Sequence, residues 1–123
     1  MQQVRVRNLN RPLRSPVLAL YCASFFCRLR GLTFRRRLPD EQGLLLVQRG
    51  ESRVDTSIHM FFVWFALAVV WIDSSGKVVD VRLAKPWRPA YFPRSAAKYV
   101  LEMAASRISD FVIGDQVEFD ASA

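Results

Sequence analysis

Short apolar runs separated by polar or proline-bearing stretches predict a chain built mainly of strands. Val4-Arg5-Val6 alternates, and the apolar run Val17 to Cys22 follows directly on Pro12 and Pro16; both read as strands. Ser24 can cap a short helix running through Arg30, with Gly31 as its stop. Residues 35–41 form a polar loop, Gly43 to Val47 a short buried strand, and residues 49–52 another loop. Ser57 to Phe62 and Ala68 to Ile72 are β-branched and aromatic enough to be strands. Asp73-Ser74-Ser75-Gly76 is a turn into Lys77 to Leu83, which predicts a hairpin with Val79, Val81 and Leu83 on one face and Val78, Asp80 and Arg82 on the other. Residues 85–93 hold three prolines and form a loop. Residues 97–103 fit two patterns. Ser95 could cap a helix with Tyr99, Val100, Met103 and Ala104 on one stripe. A strand would put Ala97, Tyr99, Leu101 and Met103 inward with Lys98 and Glu102 outward. A short helix over Ser106 to Asp110, a turn at Gly114-Asp115 and a strand from Gln116 to Phe119 complete the chain.

Length and composition narrow the class. At 123 residues and 51% hydrophobic content the chain is one folded domain, 1–123 with a core of about 4–119, and disorder is excluded. The apolar run from Ile58 to Ile72 is too short for a spanning helix, so no transmembrane segment is expected. Arg5 to Arg14 followed by Pro16 to Phe26 imitates a signal peptide but lacks a small-x-small cleavage site. The expected residence is the cytoplasm, with association to the cell envelope as the alternative. Cys22 and Cys27 are five apart, which is not a CxxC site, and free buried thiols are expected.

Charge is distributed unevenly. Residues 1–37 carry nine arginines and no acid, giving +9, whereas residues 38–123 carry nine cations and eleven acids, giving −2. Guanidinium groups suit phosphate and carboxylate partners, so the Arg-rich residues 5–37 are a candidate nucleic-acid or anionic surface. A solvated basic face is the plainer reading, because no groove-reading helix, zinc-finger spacing or RNA-binding aromatic motif accompanies them.

The order of motifs is similar to one family. The blocks are Phe26-Cys27-Arg28-Leu29-Arg30-Gly31-Leu32, Leu38-Pro39-Asp40-Glu41-Gln42-Gly43, and Ser57-Ile58-His59-Met60-Phe61-Phe62 leading to Val69-Val70-Trp71-Ile72-Asp73. Pro86-Trp87-Arg88, Tyr99-Val100-Leu101-Glu102 and Gly114-Asp115 follow. Together they resemble the domain-of-unknown-function 192 family, an uncharacterised bacterial and archaeal group, over roughly residues 4–119. The resemblance implies a compact, mainly β fold, a β-sandwich or partly open β-barrel with one or two short helices, and it favours strand for residues 97–103. It implies no activity. Members usually carry Pro-Leu-Asp or Pro-Ile-Asp where this chain has Ala66-Leu67-Ala68, and an Ala-Gly turn where it has Ala104-Ala105-Ser106. A function that needed that carboxylate is expected to be lost here.

Candidate chemistry is sparse. His59 is the only histidine, and a small hydrolase or lyase would need it as base, with Cys27 or an aspartate (Asp55, Asp73) beside it. The carboxylates show no metal-ligand rhythm and five glycines make no phosphate cradle, so no metal and no cofactor is expected. The strongest signal is aromatic. Trp64, Phe65, Trp71, Trp87, Tyr91 and Phe92 crowd a small core, and Phe61 to Phe65 form a further apolar patch. Trp, Tyr and Arg carry interface energy, so Trp87 as anchor, Arg88 as orienting charge, Tyr91, and His59 as a hydrogen-bonding wall form the expected partner-binding set. The function remains unknown at this level; the reading is a non-catalytic binding or accessory module whose partner is a protein or a second copy.

Overall fold

The computed structural model describes residues 2–13, 15–24, 27, 38–60, 63–88 and 90–121. Seven strands form one sheet: β1 Gln3–Asn8, β2 Val17–Cys22, β3 Gln42–Ser52, β4 Leu67–Ile72, β5 Val78–Ala84, β6 Ala97–Ala104 and β7 Val117–Ala121, with a 3-10 helix at Ala105–Asp110 before the last. Their order is β5-β4-β6-β3-β2-β1-β7. Every neighbouring pair is antiparallel except β2 and β3.

The sheet curls until its edges meet at one corner. Val78 donates to the Asp115 carbonyl (2.8 Å), Gly114 to the Val78 carbonyl (2.9 Å) and Val117 to the Gly76 carbonyl (2.8 Å). A partly open β-barrel results. The corner depends on Gly76, which has φ +90 and whose absent Cβ would lie 2.6 Å from the Val117 carbonyl oxygen. The Asp73 carboxylate builds the turn before it, accepting from the Ser75 and Lys77 amides, both at 2.9 Å.

Over the centre of the sheet both faces are buried. Inside the curl lie Val4, Val6, Val17, Ala19, Leu45, Val47, Ala68, Val70, Ile72, Leu101, Met103 and Phe111. The alternate residues Leu44, Leu46, Leu67, Val69, Trp71 and Val100 face outward, where Ile58, Met60, Val63 and Tyr91 from two long loops cover them. This double burial makes β4 apolar at every position, which alternation alone does not anticipate.

Several sequence expectations change. β3 runs on through Ser52, where a loop was expected. Residues 57–60 are not a strand; they hold a single bridge, Ile58 to Tyr91, and the remainder of the expected strand, 61–62, lies outside the described residues. Most of the helix expected over 24–30 also lies outside them, although its cap is present: the Ser24 hydroxyl accepts from the Cys27 amide at 3.2 Å. Residues 97–104 are strand, and the predicted alternation on β5 breaks. Trp71 pairs with Asp80 but Ile72 with Val78, so a bulge sends Val78 into the interior with Val81 and Val79 to the outer face. Cys22 and Cys27 form a disulfide with Cα atoms 5.6 Å apart, correcting the expectation of free thiols. The pair is reachable because β2 ends at Cys22 and the chain turns at once at Ser24.

Of the nine arginines in residues 5–37, Arg14, Arg28, Arg30, Arg35, Arg36 and Arg37 lie outside the described residues, and of the described three, Arg7 and Arg11 are paired. β1 pairs with β7, which brings Arg7 against Glu118 (2.8 Å) and Asp120 (2.6 Å). Arg11 grips both oxygens of Asp115 at 2.7 and 2.8 Å, while Asn8 and the Val112 amide donate to the same carboxylate. The Arg11 hydrogen bonds, with those from Asn8 and Val112, hold the Asp115 carboxyl down at about 2 despite its burial. Arg107 is fully buried and ties its helix to the Ser15 hydroxyl and carbonyl, the Asp40 carbonyl and Asp110. A buried guanidinium satisfied this way is structural.

Candidate functional site

Two loops, residues 53–66 and 85–96, lie over the outer face and are laced to each other by main-chain hydrogen bonds. Ile58 and Tyr91 exchange both amides at 3.0 and 2.8 Å; Met60 donates to the Arg88 carbonyl and Trp87 to the Met60 carbonyl, each at 2.8 Å. Three side chains fasten this ladder down. The Trp71 indole, buried in β4, donates to the Thr56 carbonyl (2.7 Å); the Tyr91 hydroxyl accepts from the Lys85 amide (2.8 Å); Arg53 donates to the Pro93 carbonyl (2.9 Å). Loops anchored on both sides lose little further freedom when a partner docks.

The ladder decides which residues face outward. With Ile58 and Met60 buried, His59 between them is exposed. Trp87 is 41% exposed and has φ +66, making it the only non-glycine residue in the left-handed region among the described residues. A bulky side chain held there carries roughly 1–2 kcal/mol of backbone strain, maintained by the surrounding hydrogen bonds. Its ring meets Trp64, itself 56% exposed, at 5.0 Å between centroids and 72° between planes. Arg88 and Phe92 are exposed beside them.

Of the four residues singled out in the sequence, His59, Trp87 and Arg88 are exposed on these two laced loops. Tyr91 does not join them. Its ring is buried with Ile58 and Trp71, so it supports the loop rather than facing a ligand. Trp64 belongs to the patch, while Val63 is buried and Phe65 partly so. Phe61 and Phe62 lie outside the described residues. The disulfide removes Cys27 as a thiol nucleophile, and Asp73 is occupied as a turn builder. Among the described residues no group of three or more His, Cys, Asp or Glu is placed to hold a metal ion, and no helix is long and apolar enough to cross a membrane.

One functional group was missed. Glu102, expected to point into solvent, is only 5% exposed. It does lie on the outer face, but that face is covered: Leu44 of β3 and Val69 of β4 stand directly opposite on either side, with Arg82 of β5 beyond Val69. No hydrogen bond or ion pair reaches its carboxylate among the described residues, and burial pushes the carboxyl up to about 7. The only sequence signal was a lone acid in the strand Tyr99-Val100-Leu101-Glu102-Met103, which alternation assigns to solvent.

An open cleft of about 510 Å³ runs beside β1, lined by Arg5, Val6, Arg7, Asn8, Leu13, Ser15 and Pro16. Arg7 is already engaged by Glu118 and Asp120.

Residues 10–119 match the family described as Uncharacterized ACR, domain of unknown function 192. The chain belongs to that family. Among curated members of domain-of-unknown-function 192 kinship, a UPF0127 protein of Thermococcus sibiricus is 37% identical over 79% of this chain and 62% of its own length. The UPF0127 protein of Pyrococcus furiosus is 32% identical over 81% of this chain and 84% of its own. The chain spans less than two thirds of the Thermococcus sibiricus relative. Two crystal structures share the fold. A Sinorhizobium meliloti protein proposed to be a transcription regulator has a TM-score of 0.81 at 20% identity, covering 96% of this chain and 92% of that one. A Novosphingobium aromaticivorans protein of unknown function has a TM-score of 0.74 at 19% identity, covering 94% and 83%. At these identities the likeness concerns the fold alone.

Proposed function

We propose that this chain is a non-catalytic binding or accessory module that contacts a protein partner, or a second copy of itself, through the surface of His59, Trp64, Trp87, Arg88 and Phe92. The observation that carries this reading is the exposed Trp64–Trp87 pair, held on two mutually laced loops with Trp87 in a strained backbone conformation. Exposed indoles on a rigid frame are the pattern of interface anchors, and keeping a strained residue at the surface costs stability that packing does not require. Tyr91 serves as foundation. A His59-based hydrolase is less well supported, since its candidate thiol partner Cys27 is bridged to Cys22. The anionic-surface alternative retains the β1 cleft, but Arg7 and Arg11 are neutralised within the fold. The Cys22–Cys27 bridge favours a compartment where thiols oxidise, such as the cell envelope, over a reducing cytoplasm; intracellular proteins of hyperthermophiles are the known exception.

The test is a photo-crosslinking residue at position 92, used in cells with and without Trp87→Ala. The native surface should give discrete adducts, identified by mass, that the Trp87→Ala chain loses while its circular dichroism is unchanged. The same adducts from both chains would refute the reading.

A further inference from the structure

We infer that the occupant of this surface is an acidic segment of a partner protein carrying an apolar anchor, a refinement that rests on the binding-module reading above. Charge supplies the first argument. The two loops hold Arg53, Lys85, Arg88 and Arg94 against one acid, Asp55, and residues 81–101 carry five cations and no acid. Among the described residues no ion pair engages Lys85, Arg88 or Arg94, and all three are exposed on the loop that carries Trp87 and Phe92. This contrasts with β1, where the acids of β7 and Asp115 answer Arg7 and Arg11. A cationic rim around an aromatic centre complements an acidic partner and steers its approach.

Ring geometry supplies the second. A strand of nucleotides stacks on parallel, spaced aromatic faces. Trp64 and Trp87 meet edge to face at 72°, so they form no parallel stacking platform, and as exposed indoles they suit contact with an apolar side chain. The third argument concerns the mode of docking. β5 is an edge strand, but two amides along that edge are occupied: Val81 donates to the Asp80 carboxylate (2.9 Å) and Lys85, just past the strand, to the Tyr91 hydroxyl (2.8 Å). The Arg94 amide also donates to Asp80 at 2.9 Å, folding the second loop across that edge. An added β-strand is therefore disfavoured, and recognition runs through side chains.

The experiment is selection of a random peptide display library on the purified full chain, with oligothymidylate and phosphatidylglycerol vesicles as parallel probes. Enrichment of peptides with Asp or Glu flanking Trp, Phe or Leu is expected. The leading peptide should weaken roughly tenfold or more on Lys85→Glu, Arg88→Glu and Arg94→Glu together, three exposed pairs each contributing modestly, and its binding should fall as salt rises. Enriched peptides that lack acids but still need Trp87 overturn the acidic partner and leave the module reading standing. Peptides selected equally by the Trp87→Ala chain overturn both. Binding of oligothymidylate or vesicles without peptide enrichment, or no enrichment of any kind, overturns the inference.

Discussion

Glu102 makes this fold sensitive to pH in a direction opposite to most carboxylates. Its carboxyl is buried between Leu44 and Val69 and titrates near 7 in the folded chain, against an ordinary value of 4.5. Because the folded pKa is raised, the native state holds the proton more tightly than the unfolded chain. Stability is therefore fully present below about 4.5 and falls as pH rises toward and past 7. Moving a carboxyl midpoint that far disfavours the charged form by about 3 kcal/mol, a large share of the roughly 5–15 kcal/mol that holds a domain together. Glu102→Gln keeps the shape and removes the charge. The variant should be more stable than the native chain at pH 8 by about 2–3 kcal/mol and nearly equal to it at pH 5. Urea unfolding at half-unit steps between pH 5 and 9 measures this directly. If Glu102→Gln retains the native chain's loss of stability across that range, the carboxylate either has a partner when charged or is not buried in solution, and the reasoning fails.

Three other outcomes follow from the geometry. Gly76→Ala should destabilise by more than about 2 kcal/mol, adding a clash with a fixed carbonyl to left-handed strain, whereas Gly114→Ala, at φ +99 in open space, should cost only about 1 kcal/mol; matched thermal melts compare them. The Asp115 carboxyl is depressed, so the stability it contributes is present above about 3.8 and is lost as pH falls toward 2. Asp115→Ala should cost about 2 kcal/mol at neutral pH, with Arg11's exposure and salt screening limiting the figure, and should flatten the acid limb of the stability curve. Reducing Cys22–Cys27, or replacing both by Ala, should lower stability by roughly 2 kcal/mol, as expected for a short closed loop; a melt unchanged by dithiothreitol would show the bridge is not formed.

The strands were legible where one rule governs them. β1, β2, β4 and β7 are short runs punctuated by proline, glycine or turn residues, and their extents differ little from expectation. Failures came where a distant segment overrides local pattern. Residues 57–60 look like a strand because Ile58 and Met60 are apolar, yet their partners are Tyr91 and Arg88 in a loop, not a sheet neighbour. The Val79 bulge reverses part of a hairpin face, and alternation cannot locate an inserted residue. Arginines at 7 and 11 looked like an unanswered positive charge because their acids lie more than a hundred residues away in sequence. For the site, residue type indicated Trp87 and Arg88 correctly as surface groups, but nothing local reveals that Tyr91 is buried or that Trp64 leans on Trp87.

Ala68 and Glu102 bring the family pattern and the geometry together. Both belong to the paired strands β4 and β6, but Ala68 faces the interior, opposite Met103 and Leu83, while Glu102 faces outward. Ala68 is completely buried. An acid at that position, as the family resemblance implies for other members, would sit in an apolar interior on the far side of the sheet from the aromatic loops and would need its own hydrogen-bonding partners. Here the interior around Ala68 is apolar, so that face contributes packing alone. The chemistry that is left concentrates on the outer side. There a buried carboxylate, a strained tryptophan and three exposed cations that no ion pair engages among the described residues lie on or above the same face, and none of them improves the stability of the fold. Features that cost stability without a structural return support the proposed binding role on the loops over the outer face.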